Sequence, residues 1–186
     1  MASFGAKMPL AAPVKTEPTG ERPTYDAIVT IGRLVKADMT VQIASGKLFA
    51  DDALAESVDE FTSASIAMET DDMVDDVASV LYGAEVDDGE VQYRAGDFQP
   101  LCGLTYYKTL MREGVKYYKG YYYPRVKAVL GNDSAATKGD TVTFGTNQTT
   151  FTVFRCNTDE WRITAEYDDE TDVVGWCREM LGDTMP

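Results

Sequence analysis

Hydrophobic and polar positions alternate along several stretches of this chain, which is the pattern of β-strands that bury one face. Within residues 35–44 every second position on one side is apolar, namely Val35, Ala37, Met39, Val41 and Ile43. We expect Gly46 to end this strand, residues 47–50 to form a second short strand, and residues 53–60 to form an acidic loop. Alternation resumes over 61–69, where the side expected to be buried carries Ala64, Ile66 and Met68.

A helix is predicted after this strand. Thr70 is a suitable N-terminal cap, and Asp71 and Asp72 follow where the helix dipole favours negative charge. One apolar stripe at helical spacing is formed by Val74, Val77, Ala78 and Leu81. Gly83 is suited to the C-terminal cap, so the helix is expected to end there.

The second half of the chain is dominated by strand signals. Residues 90–94 form a short candidate, and a long hairpin is predicted over 100–110 and 115–130 with its turn at 112–114. Pro124 lies inside the second arm and indicates an edge position or a bulge, because proline cannot donate to a strand ladder. Later strands are expected at 141–144, 149–154 and 161–167, after a turn at 138–140.

The chain is predicted to close with a short helix that starts at residues 168–170. Its apolar stripe consists of Val173, Trp176, Cys177 and Met180. Gly175 weakens this prediction and Gly182 would end the helix. In sum the pattern predicts a mainly β fold of two packed sheets, a sandwich or barrel of about eight or nine short strands with one flanking α-helix.

The N-terminal segment differs from the rest of the chain. Residues 1–24 hold four of the seven prolines among small and polar residues. We interpret them as an extended arm rather than a core element, with a disordered tail as the other interpretation. The 186 residues fit one domain, so residues 25–186 are expected to form a single β-rich unit.

Composition narrows the classes of function. The formal net charge is −14 and histidine is absent, which excludes His-based triads, proton shuttles and His-ligated zinc. Three widely spaced cysteines fit reduced structural thiols. No stretch reaches the length of a membrane span and no leader is evident, so we expect synthesis in the cytoplasm and no membrane partner.

Charge is segregated along the chain. Residues 51–90 carry 14 acidic side chains and no basic one, whereas residues 94–127 carry seven basic and two acidic ones. Opposite patches could meet across a head-to-tail interface between subunits, or the acidic face could simply be solvated. The cluster of Asp71, Asp72 and Asp75 with its neighbour Asp76 fits helix capping better than a metal site, because no calcium-loop pattern matches.

Tyrosine is concentrated in the predicted hairpin and interleaved with lysine and arginine. The seven tyrosines of this segment are Tyr106, Tyr107, Tyr117, Tyr118, Tyr121, Tyr122 and Tyr123. They could pack across strands in the core or against another subunit. They could also stack on single-stranded nucleic acid or sugar, which would make hairpin 100–130 a binding module. A carboxylate-based hydrolase is a third class, but 31 acidic residues make a chance pair inevitable.

The order of these elements resembles the major tail protein family of long-tailed bacteriophages, the subunits of the tail tube. The resemblance is carried by residues 46–56, the helix end at 80–83, residues 120–126 and residues 137–144, and it extends over residues 25–181. It implies the tail-tube fold and hexameric rings that stack into a hollow tube through which DNA leaves the virion. It also implies no enzymatic activity, no cofactor and no metal, with the tape measure protein and tail-end proteins as partners.

An assembly site is predicted in the acidic loop after residue 50. A surface loop that carries Leu54 and Val58 without a partner would be unusual, so we expect it to order against an adjacent subunit or ring. The residues assigned to this assembly loop are Asp51, Asp52, Leu54, Glu56 and Val58. DNA is expected to pass through the assembled tube without specific binding.

Overall fold

The computed structural model describes residues 2–50, 53–73, 75–131 and 146–183. The strands are β1 (Ala2–Thr16), β2 (Thr24–Tyr25), β3 (Val29–Thr30), β4 (Leu34–Ala50), β5 (Ala53–Thr70), β6 (Glu85–Asp87), β7 (Glu90–Gln92), β8 (Leu101–Arg112), β9 (Val115–Leu130), β10 (Asn147–Val153) and β11 (Ile163–Tyr167). The helices are α1 (Asp75–Tyr82) and α2 (Glu170–Glu179). The predicted mainly β fold is therefore confirmed.

One antiparallel sheet of nine strands supplies both layers of the sandwich-like fold. Its main path runs β2-β1-β8-β9-β10-β5-β4, while β11 pairs with β9 and β3 pairs with β1. Strand β9 pairs with two strands along one edge, since residues 118–122 pair with β11 and residues 126–130 pair with β10. The sheet folds over so that β1 comes back into contact with β4, and β6 and β7 form a separate small hairpin.

The main core lies between these two layers and under α1. The face predicted for the strand over 61–69 is confirmed, because Ala64, Ile66 and Met68 are buried. Helix α1 adds Val77, Ala78 and Leu81 of the predicted stripe to the same cluster. Alternation along β5 and helical spacing along α1 place these side chains on one face, which is why they are buried together. The face predicted for residues 35–44 is buried only in part, because Val35 and Ile43 expose 55% and 58% of their surface.

Helix α2 covers the opposite face of β8 and β9. The side-chain carboxylate of Asp169 caps its N-terminus by accepting from the backbone N–H of Thr171 at 2.7 Å. Val173 and Cys177 are fully buried against the sheet, as the predicted stripe requires. The layer of β8 and β9 is therefore buried on both sides.

The long hairpin of β8 and β9 is confirmed, together with its turn. Glu113 and Gly114 both have positive φ, 51° and 83°, which is the conformation of a tight two-residue hairpin turn. Pro124 lies at a bulge, where the register between β8 and β9 shifts at Gly103, and not in an edge strand. Its carbonyl accepts from the hydroxyl of Tyr25 at 2.8 Å.

Residues 1–24 do not form an arm outside the core. Strand β1 pairs with β8 over most of its length, and Leu10, Ala11 and Ala12 are buried. Pro9 is accommodated because it lies within the register shift between Lys7 and Leu10, where the ladder with β8 is interrupted. The expectation of an element outside the core is wrong for this segment.

The first helix begins later than predicted. Thr70 belongs to β5, and helix α1 starts at Asp75. The carboxylate of Asp71 instead accepts from the backbone N–H groups of Arg33 and Asp72, at 2.7 and 2.9 Å, and so closes the turn between β5 and the helix. Gly83 does end the helix, with φ of 71° and its N–H bonded to the carbonyl of Ser79.

Two predictions in the first half of the chain are also corrected. Gly46 does not break β4, since it lies opposite Val58 in a continuous ladder. Residues 53–60 are not a loop but the first half of β5. The predicted turn at 138–140 and strand at 141–144 lie outside the described residues.

Candidate assembly surface

A two-stranded ribbon, formed by residues 44–50 of β4 and 53–60 of β5, extends beyond the part of β5 that pairs with β10. We call it the distal ribbon. Its register runs from Ala44 opposite Glu60 to Ala50 opposite Ala53. At about 3.3 Å per residue the ribbon is about 20 Å long. An isolated two-stranded ribbon is only marginally stable in water, so this element is suited to packing against something else.

The structure places most residues of the predicted assembly loop in this one element. Leu54 lies opposite Phe49, Glu56 opposite Leu48, and Val58 opposite Gly46 in the ladder. Val58 exposes 51% of its surface, and Glu56 is also exposed. Asp51 and Asp52, the other two residues of that prediction, lie outside the described residues. The conformation was predicted wrongly, but the segment does form a protruding surface element.

Glu56, Val58 and Glu60 share one face of the distal ribbon, because side chains alternate along a strand. That face presents an apolar group between two carboxylates. The other face carries Asp59, whose carboxylate accepts a hydrogen bond from the hydroxyl of Ser45 across the ladder. Exposure on both faces is what distinguishes this segment from the core part of β5.

Aromatic stacking anchors the base of the distal ribbon to the sandwich. The rings of Phe61 and Trp161 are stacked with centroids 4.3 Å apart and an interplanar angle of 10°. The guanidinium of Arg162 lies 4.7 Å from the centre of the Trp161 ring on which it rests. These contacts hold the root of the ribbon, whereas the exposed residues beyond it make no such contact within the described residues.

The outer edge of β4 is a second surface suited to assembly. Strand β4 ends the sheet path, and no strand of the described ranges pairs with its outer edge. Val35 and Ile43 on this strand expose 55% and 58% of their surface. A long edge strand with exposed apolar residues is a template for pairing with another chain.

The tyrosines of the hairpin are largely structural. Tyr106, Tyr107, Tyr122 and Tyr123 are buried. Tyr106 and Tyr123 approach with hydroxyl oxygens 3.3 Å apart, and burial raises the pKa of both. A buried ring offers no face to a base or a sugar, so these four side chains are explained by packing.

The arginines of the basic segment 94–127 are neutralised within the chain. Arg94 pairs with Glu85 at 2.6 Å, and Arg125 pairs with Glu17 at 3.3 Å. Arg112 binds Glu166 with both terminal nitrogens, one of them at 2.8 Å. The lysines differ, because Lys108, Lys116, Lys119 and Lys127 make no ion pair with any described residue.

Side chains that could support chemistry have structural roles where the structure describes them. Cys102, Cys156 and Cys177 are buried free thiols, and burial raises the pKa of Cys102 and Cys177 to about 12. No group of potential metal ligands occurs among the described residues. A thiol that stays protonated is a poor nucleophile and a poor ligand.

No model of a known protein family matches the chain, and no curated protein matches it. Among the described residues no helix is long and apolar enough to cross a membrane.

Sequence reasoning missed the second strand of the distal ribbon, residues 53–60 of β5, and the lysines that face each other in the hairpin. A usable signal was present for the ribbon, because only two residues separate the apolar end of 47–50 from Ala53. Such spacing is typical of a hairpin, but the acidic composition of the residues that follow is typical of a loop. Cross-strand neighbours such as Lys108 and Lys119 depend on register, which a single strand pattern does not fix.

Proposed function

We propose that this protein is a structural subunit that self-assembles into hexameric rings, and that the rings stack into a hollow phage tail tube for DNA. The observation that carries the proposal is the distal ribbon, which extends from the sandwich and is exposed on both faces at residues 44–47 and 56–60. A stable fold does not need such an element, whereas a repeating assembly does. The free edge of β4 gives a second contact, through which sheets of neighbouring subunits could continue.

The charge of the chain also supports a conduit. A tube wall should not hold phosphate groups, and a subunit with a net charge of −14 supplies surplus negative charge. The arginines that could have gripped DNA at the hairpin are already paired with Glu85, Glu166 and Glu17. Within the virion, the tube would contact the tape measure protein and the proteins at the tail ends.

The test is electron microscopy of the purified protein in negative stain, because rings and tubes are visible without further knowledge of the phage. A variant in which residues 46–58 are replaced by Asn-Gly would close the ladder between Ser45 and Asp59 with a favoured hairpin turn. We expect rings or tubes from the wild type and folded monomers from this variant.

The matched control keeps the distal ribbon at full length and changes another exposed hairpin. Asp87→Ser with Glu90→Ser alters the facing pair of β6 and β7, far in sequence from the ribbon, and should leave tubes intact. Monodisperse wild-type monomers at all concentrations would contradict the proposal. Normal tubes from the shortened variant would show that assembly does not depend on the distal ribbon, which would then no longer support the proposed function.

A further inference from the structure

Two lysines face each other directly in the hairpin of β8 and β9. Lys108 lies opposite Lys119 in the antiparallel ladder, and both side chains are half-buried. Their ammonium groups lie 5.2 and 6.0 Å from the centre of the Tyr121 ring. Like charges directly opposite each other destabilise a sheet, and the aromatic ring offsets only part of the repulsion.

A cavity of about 240 Å³ opens beside these lysines, between the hairpin and β4. Its lining is apolar and aromatic at Ala37, Met39 and Tyr106, and cationic at Lys108 and Arg162. We call the group of Lys108, Lys119, Tyr121 and Arg162 with this cavity the cationic mouth. It combines an apolar floor with positive charge at its rim.

The positive charge of the cationic mouth is not compensated within the described part of the chain. Glu166 lies opposite Lys119 in the β9–β11 ladder, but its carboxylate is bound by Arg112. Lys108, Lys119 and Arg162 form no salt bridge with a described residue. Uncompensated cations, of which Lys108 and Lys119 are half-buried and Arg162 is exposed, point to an anionic partner group in a chain of net charge −14.

We propose that the cationic mouth binds the Glu56–Val58–Glu60 face of the distal ribbon of a second copy of this chain. The proposal rests on the proposed function, because it names the surface that receives the ribbon during assembly. An apolar group between two carboxylates complements an apolar floor with a cationic rim. The contact is head to tail, since ribbon and mouth are different surfaces, and it can therefore repeat along an assembly.

The ribbon of the same chain does not occupy the mouth. Its root is fixed by the stacking of Phe61 on Trp161, and Glu56, Val58 and Glu60 remain exposed beyond that point. A nucleic acid would meet the same cations, but it would also meet the repulsion of the surplus acidic charge. The distal ribbon of a second copy carries its carboxylates on a narrow element. It can therefore approach the cationic mouth without bringing the rest of its acidic surface close.

The decisive experiment is a charge swap between two variants, each full length. The ribbon variant carries Glu56→Lys with Glu60→Lys, and the mouth variant carries Lys108→Glu with Lys119→Glu. Each alone is expected to raise the protein concentration needed for assembly at least ~10-fold, measured by sedimentation and negative stain. An equimolar mixture of the two should assemble again, because each ribbon then meets a mouth of opposite charge on the other variant.

Two controls show whether a loss of assembly comes from this contact, from misfolding or from a general change in surface charge. Circular dichroism and thermal unfolding must show both variants folded, and Lys108→Gln with Lys119→Gln serves if the reversed pair does not fold. Asp87→Lys with Glu90→Lys reverses two exposed charges on the β6–β7 hairpin and should assemble as the wild type does.

Three results would overturn the inference. These are wild-type assembly by both variants, failure of the mixture of folded variants to assemble, or single-stranded DNA binding that is lost in the mouth variant while assembly is unchanged. If the wild type forms tubes in these cases, the proposed function stands and only the docking surface is wrong. If the wild type never assembles, both proposals are overturned.

Discussion

Gly120 sets how closely α2 packs on the sheet. A Cβ at this position would lie 2.6 Å from Cζ3 of Trp176 and 3.0 Å from Cγ2 of Val173, both on the helix. We expect Gly120→Ala to lower the free energy of unfolding by about 1–3 kcal/mol, because the helix has to move away. Urea unfolding measures this change.

The matched control for that substitution lies on α2 itself. A Cβ at Gly175 would meet nothing within 4 Å. Gly175→Ala should therefore stabilise the protein by about 0.5–1 kcal/mol, since alanine loses less backbone entropy in a helix. Equal effects of the two substitutions would contradict the packing argument.

The buried thiols make stability depend on pH in the alkaline range. Burial raises the pKa of Cys102 and Cys177 from 9.0 to about 12, so the folded state holds protons that the unfolded chain releases. The stabilisation is complete below the unfolded pKa and is lost as pH rises from about 9 towards 12. We expect each thiol to account for a loss of about 1–2 kcal/mol between about pH 8 and pH 10.

Urea unfolding at the two pH values tests this, with Cys102→Ala and Cys177→Ala as the comparison. The double variant should show a smaller loss of stability over the same range, because the buried tyrosines contribute equally to both proteins. An unchanged pH dependence in the variant would show that these thiols titrate alike in the folded and unfolded states.

At the scale of single elements, the turn between β8 and β9 has one unfavourable residue. Glu113 adopts a φ of 51°, which is strained for a residue other than glycine, asparagine or aspartate. Glu113→Asn creates the Asn-Gly pair that this turn prefers and should stabilise the protein by about 0.5–1 kcal/mol. Gly114→Ala, at a φ of 83°, should destabilise it by at least as much. Thermal unfolding of both variants decides, and a destabilising Glu113→Asn would contradict the turn assignment.

Elements whose burial follows one period could be predicted from the sequence. The alternation around Ile66 and the stripe around Val77 and Cys177 put apolar side chains on one face, and each is buried as expected. The distal ribbon could not be predicted in this way, because residues 44–47 and 56–60 are exposed on both faces and burial leaves no period to detect there. Strand β1 was missed for another reason, since its prolines indicated a segment outside the sheet, whereas Pro9 lies at a register shift in the ladder with β8.

One part of the candidate site could be predicted from the sequence and another part could not. The segment around Val58 could be predicted from the sequence, because an exposed apolar residue among acidic ones indicates a contact surface. The cationic mouth could not, since it unites Lys108, Lys119 and Arg162 from three strands or their flanks. Their proximity depends on the register of β8 with β9 and on the folding-over of the sheet, which are long-range properties.

For the whole molecule, the first prediction concerns nucleic acid. The buried hairpin tyrosines and the surplus acidic charge should leave single-stranded DNA unbound in a mobility assay at moderate salt. Binding through the exposed lysines would give a clear shift and a steep dependence on salt. Such a shift would favour a nucleic-acid-binding module over the tube subunit.

The last prediction concerns the lining of the proposed tube. A conduit must neither hold phosphates nor repel them so strongly that entry stalls. At physiological salt the Debye length is about 8 Å, so charges on the wall act mainly on DNA that comes close to it. A net negative lining keeps the duplex away from the wall, whereas isolated lysines would create points of adhesion.

We therefore expect the faces that line the lumen to carry more Asp and Glu than Lys and Arg, and the lysines of residues 94–127 to lie at contacts between subunits. The internal pairing of Arg94, Arg112 and Arg125 already removes three cations from any lining. A structure of the assembled tube tests this by the sum of charges within about one Debye length of the lumen surface. A net positive lumen would refute this electrostatic argument but not the proposal that the protein forms a tube. DNA would then have to move past a wall that attracts it.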